Sequence, residues 1–351
     1  MPDIVISALS TEQIGTGHLR RMITLSKVLH ETARIIPRFH TTAYGKQILD
    51  HANLPFGVND TLIAPDEIGL AINSFRGHLA RINPAVTILD NYFWHARNEE
   101  TLRSHTGKLW VVDDLADRDH IADVLLDQNA HHYPEAYRGK VPAACKLLVG
   151  APYCLIGEEF RMCRRAGALS SEERANLKPV FLSLGGGDPN RDILRLVRLF
   201  LKTIPLRPLN IATGSHIADA KELAFLAREM PDRIGLIFDS TIVATQMNHA
   251  AYAVASGGTM TWERAVLGLP AMSLMMVDNQ VEATTWLAAH GIQQAFDLRP
   301  GWKDEDFVVA LKAYDRDAAS RIKQSECALS LIDGNGATLV AKEIQALLEK
   351  T

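Results

Sequence analysis

Ile14-Gly15-Thr16-Gly17-His18-Leu19-Arg20-Arg21 joins an apolar, strand-like run over residues 3–9 to a helix-like run over residues 18–30. A tight turn between a first strand and a first helix is where open α/β sheets bind ligands. Gly15 and Gly17 can adopt backbone angles closed to other residues, and they let a ligand approach the main chain. The free N–H groups at the start of a helix suit an anion. The pattern therefore predicts a ligand-binding turn.

His18 stands in this turn where a dinucleotide-binding fingerprint would continue toward a third glycine. The titration range of histidine includes neutral pH, so His18 is a candidate proton acceptor. The turn taken alone has a second interpretation, a structural glycine turn whose histidine caps the helix. Both interpretations stay open at this point.

The composition bounds the class of protein. The chain has 351 residues, enough for two α/β domains with separate cores, and its 47% hydrophobic and 22% charged residues are typical of a globular enzyme. The net charge of −4 gives no reason to expect nucleic acid or a membrane surface as the main partner. No apolar stretch is long enough to span a bilayer, and the first residues lack the features of a signal peptide. The four cysteines form no C-x-x-C pair, so we expect reduced thiols in a cytoplasmic protein.

Strand-like and helix-like patterns alternate twice along the chain, which predicts an α/β fold with mainly parallel sheets. The predicted strands are 3–9, 34–41, 85–90, 108–113, 124–128 and 146–149, then 180–184, 209–213, 234–238, 252–256 and 271–276. Helices are predicted at 65–82, 95–105, 191–203, 221–230, 241–250, 259–267 and 280–290. We expect two Rossmann-like open-sheet domains of similar size that face each other across a cleft.

A polar stretch without strand character separates the two halves. It predicts a first domain over residues 1–164, a linker over 165–178 and a second domain over 179–336. Residues 337–351 carry apolar residues at helical spacing. They predict an amphipathic helix that can pack back onto the first domain.

Two further strand–glycine–helix junctions lie in the second half. Gly186 belongs to one, over residues 182–189. The other, over 255–264, carries Ser256-Gly257-Gly258-Thr259 and then Glu263 one helical turn later. Its backbone N–H groups and hydroxyl could hold a diphosphate, and the carboxylate could accept both ribose hydroxyls. Neither junction is a P-loop, and either one alone could consist of ordinary turn glycines.

Polar residues follow other strands of the predicted sheets. Asn279 and Gln280 come after one strand and belong to the ligand rim of an open sheet. Residues 90–92 and 112–118 occupy equivalent strand ends in the first half. The acidic cluster over 113–120 could suggest a metal, but strand-end aspartates more often cap the next turn. We interpret His131-His132 as loop residues, and no metal or other cofactor is expected.

The motifs together are more specific than any one of them. Gly15-Thr16-Gly17-His18…Arg21, residues 112–118, residues 125–129 and Gly257-Gly258-Thr259…Trp262-Glu263-Arg264 occur in this order and continue through 267–270 to 278–280. Over roughly residues 1–295 the chain resembles the family of pseudaminic acid biosynthesis that hydrolyses UDP-2,4-diacetamido-2,4,6-trideoxy-β-L-altropyranose. It departs from the family pattern at Trp94-His95 and in its longer tail beyond Leu298.

The resemblance implies a glycosyltransferase-B architecture and a UDP-sugar substrate. It implies His18 as the base, Tyr92 and Asn279 on the sugar side, and residues 257–263 around UDP. The substrate-binding residues that we predict are Gly15, Gly17, Arg21, Tyr92, Gly186, Ser256, Gly257, Gly258, Thr259, Glu263, Asn279 and Gln280.

UDP is a good leaving group, so a single base that activates water would suffice for hydrolysis with inversion. The main alternative is a glycosyltransferase in which His18 deprotonates an acceptor hydroxyl. A lipid-linked acceptor would need a basic and apolar patch, and residues 34–40 are the local candidate. A non-catalytic nucleotide-sugar sensor is a third interpretation, disfavoured by the presence of His18.

Overall fold

The computed structural model describes residues 3–11, 15–52, 54–55, 61–65, 67–167, 169–185, 190–214, 217–238 and 240–349. The chain divides into two compact units, Met1–Ile156 with Gly334–Thr351, and Gly157–Asp333. The expected boundaries were residues 164 and 336. The first junction therefore lies earlier than expected, and the second lies close to its expected place.

The first unit is an α/β layer structure. Its strands are β1 (Ile4–Ala8), β2 (Arg38–Thr41), β3 (Leu62–Ile63), β4 (Val86–Asp90), β5 (Lys108–Val112), β6 (Val124–Asp127) and β7 (Lys146–Val149). Its first four helices are α1 (Gly17–Ala33), α2 (Ala43–His51), α3 (Ile68–Ile82) and α4 (Ala96–Arg103). Within the described residues the strands pair in parallel in the order β3-β2-β1-β4-β5-β6-β7.

The order of the strands reverses between β1 and β4, which are neighbours in space but not in sequence. Ala8 at the end of β1 pairs with Asp90 at the end of β4. Both strands are buried at every residue, as expected where helices cover both faces of a parallel sheet. The carboxyl ends of strands at such a reversal form the usual ligand crevice of open α/β sheets. The His18 turn leaves β1 at this point.

The second unit repeats the architecture. Its strands are β8 (Val180–Ser183), β9 (Leu209–Ala212), β10 (Ile234–Ile237), β11 (Tyr252–Ser256), β12 (Ala271–Met275) and β13 (Gln294–Asp297). They pair in parallel in the order β10-β9-β8-β11-β12-β13, so the order reverses between β8 and β11. Its helices are α5 (Glu158–Arg165), α6 (Ser171–Ala175), α7 (Asp192–Thr203), α8 (Ala220–Glu229), α9 (Val243–Asn248), α10 (Met260–Val266), α11 (Val281–Ala289), α12 (Asp304–Arg316) and α13 (Ala318–Leu331). The predicted pair of open α/β domains is confirmed.

The stretch expected to be a linker, residues 165–178, instead belongs to the second unit. Helix α5 ends and α6 lies within it. The guanidinium of Arg174 is buried and donates to the carbonyl oxygens of Ala250 (2.9 Å) and Leu267 (2.8 Å). Polar composition suggested a solvated connection, but this charge is held by backbone acceptors inside the unit.

The last helix, α14 (Gly336–Leu348), packs in the first unit. Its buried face, Ala337, Val340, Ala341 and Ile344, joins the apolar cluster that holds α1. Gln345 Nε2 donates to Thr32 Oγ1 at 2.7 Å. No helix in the described part of the chain is both long enough and apolar enough to cross a membrane.

Candidate active site

His18 lies in the first turn of α1, beside the carboxyl end of β4. Gly15 adopts φ +83°, a left-handed angle that favours glycine, and its N–H donates to Thr11 O at 2.8 Å. This turn brings His18 Nδ1 to 2.6 Å from Asp90 Oδ1, with both side chains buried. A carboxylate only accepts hydrogen bonds, so the imidazole proton is assigned to Nδ1. Nε2 is then the basic nitrogen, and no described residue hydrogen-bonds it.

Arg21, one turn after His18 on α1, holds Asp90 in place. Its Nε donates to Asp90 Oδ2 (2.6 Å) and its Nη2 to Oδ1 (2.5 Å), a bidentate pair. Its Nη1 donates to Asp114 Oδ1 at 2.8 Å. Burial alone would raise the pKa of Asp90, but Arg21 and His18 outweigh it and hold that pKa below its ordinary value. The carboxylate beside His18 therefore stays ionised.

Arg21 was predicted to bind substrate, and the structure gives its guanidinium a different set of partners. Burial lowers the pKa of Arg21, but the two carboxylates reverse this and raise the pKa well above its ordinary value. Three of its nitrogens donate to Asp90 and Asp114. The residue is therefore built into the support of His18.

Tyr92 completes the cluster around the imidazole. Its ring contacts that of His18 edge-on, with centroids 4.4 Å apart and planes at 79°. Its hydroxyl donates to Asp114 Oδ2 at 3.3 Å, and burial followed by the Asp114 charge raises the pKa of Tyr92, so the phenol stays protonated. Asn129 Nδ2 in turn donates to the carbonyl of Asp114 at 3.0 Å. His18, Arg21 and Tyr92, all predicted, are thus brought together by Asp90 and Asp114.

Asp90 and Asp114 are the two site residues that the sequence did not assign. Asp90 ends β4, and Asp114 follows β5 by two residues. The sequence predicted these strands but not which strands lie next to each other in the sheet. The signal was their position at the carboxyl ends of β4 and β5, next to each other in the sheet. The predicted strand ends, residues 90–92 and 112–118, include both aspartates, but neither aspartate was assigned a role.

Of the remaining acidic residues of the cluster, Asp113 belongs to a buried network in the same unit, whereas Asp117 and Asp119 are exposed. Asp113 accepts from the N–H of Ala116 (2.9 Å) and pairs with Arg118 (2.9 Å), as expected of an aspartate that caps a turn. His120 Nδ1 lies 2.6 Å from Glu99 Oε1. Burial would lower the pKa of His120, but Asp113 and Glu99 outweigh it and raise the pKa to about 9. Likewise, His132 hydrogen-bonds the Asp127 carboxylate through Nδ1.

The glycine turn of the second unit follows β11 directly. Ser256 ends the strand, the N–H of Gly257 donates to Leu274 O (3.1 Å), and α10 begins after Thr259. A Cβ on Gly257 would lie 2.3 Å from Thr284 Oγ1, so a side chain there would displace the Thr284 hydroxyl of α11. A Cβ on Gly258 would meet only Gln280 Nε2, at 3.9 Å. The Gly258 side of the turn is therefore the open side.

Gln280 reaches this turn from the next strand end. Its Oε1 accepts from the N–H of Met276 at 2.9 Å, which leaves the amide NH₂ near Gly258 as a donor. Asn279 lies beside it in an exposed 3₁₀ turn, Asp278–Gln280. Glu263 is half-buried on α10, one turn after Thr259. Gly186, the remaining predicted residue of this unit, lies outside the described residues.

A cavity of about 740 Å³ opens beside the Asp278–Gln280 turn, at the carboxyl ends of β12 and β13. Its lining includes Met276, Asp278 and Trp302. Arg299 donates to Asp278 Oδ1 (2.7 Å) and to Asp297 Oδ2 (2.7 Å) at its rim. Its size is within the range of small-molecule sites.

Two parallel-sheet Rossmann-like units, each with a polar site at its strand reversal, define the glycosyltransferase-B class of fold. Solved structures agree. MurG from Acinetobacter baumannii has a TM-score of 0.65 at 15% identity, with 98% of this chain and 100% of that one covered. MnaA from S. aureus, in complex with UDP, has a TM-score of 0.70 at 12% identity, with 99% and 97% covered. UDP-GlcNAc 2-epimerase from Neisseria meningitidis has a TM-score of 0.66 at 11% identity, with 98% and 100% covered. The predicted fold class is confirmed.

Sequence relatives are more particular. The chain is 27% identical over 285 residues to the UDP-2,4-diacetamido-2,4,6-trideoxy-beta-L-altropyranose hydrolase of Campylobacter jejuni, which covers 81% of this chain and 95% of that protein. It is 21% identical over 206 residues to the spore coat polysaccharide biosynthesis protein SpsG of Bacillus subtilis, with 58% and 60% covered. No protein-family model matches the chain. The resemblance inferred from the motifs is thereby confirmed as a similarity to the named hydrolase.

Proposed function

We propose that this protein hydrolyses a UDP-linked deoxy diacetamido sugar to UDP and the free sugar. The substrate we propose is UDP-2,4-diacetamido-2,4,6-trideoxy-β-L-altropyranose, in a cytoplasmic step of pseudaminic acid biosynthesis. One observation carries the proposal: His18 has Nδ1 fixed on an ionised Asp90 and Nε2 without a described partner. The similarity to the C. jejuni hydrolase supports the choice of substrate.

In the proposed reaction, His18 Nε2 takes a proton from water while the water oxygen bonds to the anomeric carbon. The bond between that carbon and the UDP oxygen breaks, and UDP leaves with the electron pair. Asp90 keeps the proton on Nδ1 and stabilises the imidazolium that forms, and Arg21 keeps Asp90 ionised. No general acid is needed because UDP is a good leaving group. The attack takes place opposite the leaving group, so the first-formed sugar is inverted.

We propose that UDP binds at the glycine turn of the second unit and that His18 acts on the same substrate molecule. The open side of the turn at Gly258 and the fixed amide of Gln280 supply N–H donors for the diphosphate. Helix α10 has only seven residues, so local N–H groups matter more here than a helix dipole. The other assignments are Glu263 to ribose, Tyr92 and Asn279 to the sugar, and Gly15, Gly17, Gly186, Ser256 and Thr259 to the walls of the site.

A glycosyltransferase with the same donor site is the second candidate, since the fold is shared with glycosyltransferases such as CalG4. The apolar patch expected for a lipid-linked acceptor does not form in the described residues 34–40. Ile35 and Phe39 are buried in the core and His40 is buried as well, which leaves Ile36 as the exposed apolar residue beside the exposed Arg34. This observation favours water over a membrane-bound acceptor.

The deciding experiment is incubation with a panel of UDP-sugars and no acceptor, followed by NMR of the products. We expect acceptor-independent release of free sugar, with the first-formed anomer inverted. In ¹⁸O-labelled water the label should appear in the sugar, because attack is at carbon. Label in UDP, or turnover only after an acceptor is added, would overturn the proposal.

A further inference from the structure

Three arginines of the second unit, Arg174, Arg264 and Arg321, are buried without a carboxylate within ion-pairing distance among the described residues, and the first two border β11. Arg174, on α6, and Arg264, on α10, are 1% and 2% exposed. They bind at opposite ends of β11. Arg174 donates to the carbonyl of Ala250, before the strand begins, and Arg264 to that of Ser256, where it ends. The first and last residues of β11 are roughly 13 Å apart.

The partners of Arg174 account for its buried charge. Its Nη1 donates to the carbonyl oxygens of Met247 (3.3 Å) and Asn248 (3.2 Å), in the last turn of α9. Its Nη2 donates to that of Leu267, which follows the last residue of α10. Carbonyl groups at helix C-termini carry partial negative charge, so two helix ends compensate this cation.

The partners of Arg264 do not compensate its charge in this way. Nη2 donates to Ser273 Oγ (2.7 Å), Thr261 Oγ1 (3.2 Å) and Gln293 Oε1 (3.4 Å), and Nη1 to Ser256 O (3.1 Å). These are two hydroxyls, an amide and one strand-end carbonyl. Burial lowers the pKa of Arg264 to about 10, against the opposing influence of Tyr314 and Glu263, and lowers that of Arg174 to about 10 as well. Both guanidinium groups are therefore charged at neutral pH, and the contrast between them lies in their hydrogen-bond partners.

A buried cation whose hydrogen-bond partners are all neutral is costly, and a nearby anion relieves that cost. The acceptor at Ser256 is the residue immediately before the glycine turn, so the charge lies directly behind the open turn. We infer that Arg264 is the fixed counter-charge of the diphosphate bound at residues 257–259. This inference rests on the proposed function. Arg264 does not contact the substrate, and it acts through the field at the turn and through the Ser256 carbonyl.

The test compares four variants, Arg264→Gln, Arg264→Lys, Arg174→Gln and Arg174→Lys, by calorimetric titration with UDP and with uridine. In Arg264→Gln we expect UDP to bind about tenfold or more weakly, the size of a unit charge acting across several ångströms of protein. Uridine, which carries no phosphate, should bind as it does to the wild type. Arg264→Lys keeps a unit positive charge at this place and should retain UDP affinity within about threefold.

The Arg174 variants are the matched control. They should lower the unfolding temperature of the protein without changing UDP affinity, because their charge is compensated at the other end of β11. Thermal unfolding identifies any variant that does not fold. If Arg264→Gln does not fold, Arg264→Lys decides: retained UDP affinity supports the inference, and a tenfold loss overturns it.

The failures can be told apart. If the wild-type protein does not bind UDP, both the proposed function and this inference are overturned. If the wild type binds UDP and folded Arg264→Gln binds it equally well, only the inference is overturned. An equal loss of UDP and uridine affinity would also overturn it, because that pattern indicates a distorted turn and no charge effect.

Discussion

The two units of this protein each have a strand reversal at the same place in the sheet, but the polar groups at the two reversals differ in kind. In the first unit, at β1 and β4, the site consists of charged side chains, with His18 held by Asp90 and Asp90 by Arg21. In the second unit, at β8 and β11, it consists of backbone around Gly257 and Gly258, with the charge of Arg264 buried behind it. A group that moves a proton needs one fixed orientation and tautomer. A group that binds an anion needs close approach of N–H donors. Each sheet therefore provides one such site at its strand reversal, and the residues at that reversal determine which chemistry the site suits.

Removal of the base should give the largest effect. His18→Asn should lower kcat by about 10²–10⁴-fold, the usual contribution of a general base, and should leave UDP affinity nearly unchanged. Steady-state kinetics and UDP titration on the same preparation measure both quantities. A variant as fast as the wild type would return this turn to its structural interpretation as a helix cap.

The next effect tests the support of that base. Asp90→Asn can donate to Nδ1 and move the imidazole proton to Nε2, so we expect kcat to fall about ten- to a hundredfold, less than for His18→Asn. Asp114→Asn is the control, because it alters the other end of the Arg21 guanidinium and leaves the partner of His18 in place. Equal losses in both variants would show that the whole cluster, and not the Asp90–His18 bond, determines the rate.

The free energy of unfolding should depend on pH through the buried His120 network of the first unit. The pKa of His120 is about 9 in the folded protein and near 6.5 in an unfolded chain, so protonated His120 stabilises the fold below pH 6.5. That contribution, about 2–3 kcal/mol, is lost as the pH rises through 9. Urea unfolding at pH 6 and pH 9.5 should show a large gap between wild type and His120→Gln only at pH 6. A gap that does not change with pH would rule out this ion-pair network as its origin.

In the second unit the expected effect falls on affinity and not on rate. Glu263→Ala should weaken UDP binding by about 1.5–3 kcal/mol, the value of a charge-assisted hydrogen-bonding site. Glu229→Ala, which removes an exposed carboxylate from α8 in the same unit, should leave the Kd unchanged. Unchanged UDP affinity in Glu263→Ala would remove this residue from the ribose site.

The smallest expected effect is that of chelation. EDTA should leave turnover unchanged, because in the proposed mechanism the N–H donors of the glycine turn and the charge of Arg264 stabilise the charge that develops on the diphosphate. The assay is turnover after dialysis against EDTA, with and without added Mg²⁺ or Mn²⁺. Loss of activity with EDTA that either ion restores would show that the second site works through a metal.

Local patterns predicted the sheets well because a parallel strand covered on both faces is apolar at every residue. The two strands that the sequence did not reveal, β3 and β13, are both edge strands: β3 has only two residues, and β13 is half-buried or exposed throughout. The other two edge strands, β7 and β10, were predicted. The sequence could predict that His18 and Arg21 lie close together, because residues three positions apart on a helix share one face. Their hydrogen bonds to Asp90 join residues 72 and 69 positions apart, and only the pairing of β1 with β4 brings these residues together. Gly257 was predicted to offer its backbone N–H to a diphosphate, whereas in the structure that N–H donates to Leu274 O and Thr284 of α11 packs close to its Cα.

The place of α14 has a consequence for biosynthesis. Its buried residues, from Ala337 to Ile344, fill the same apolar cluster as α1, yet the ribosome makes them after the entire second unit. The α1 surface of the first unit therefore stays uncovered while the ribosome translates the second unit. During that time the α1 surface is exposed to chaperones. For the same reason, a truncation after residue 333 removes part of the core of the N-terminal unit.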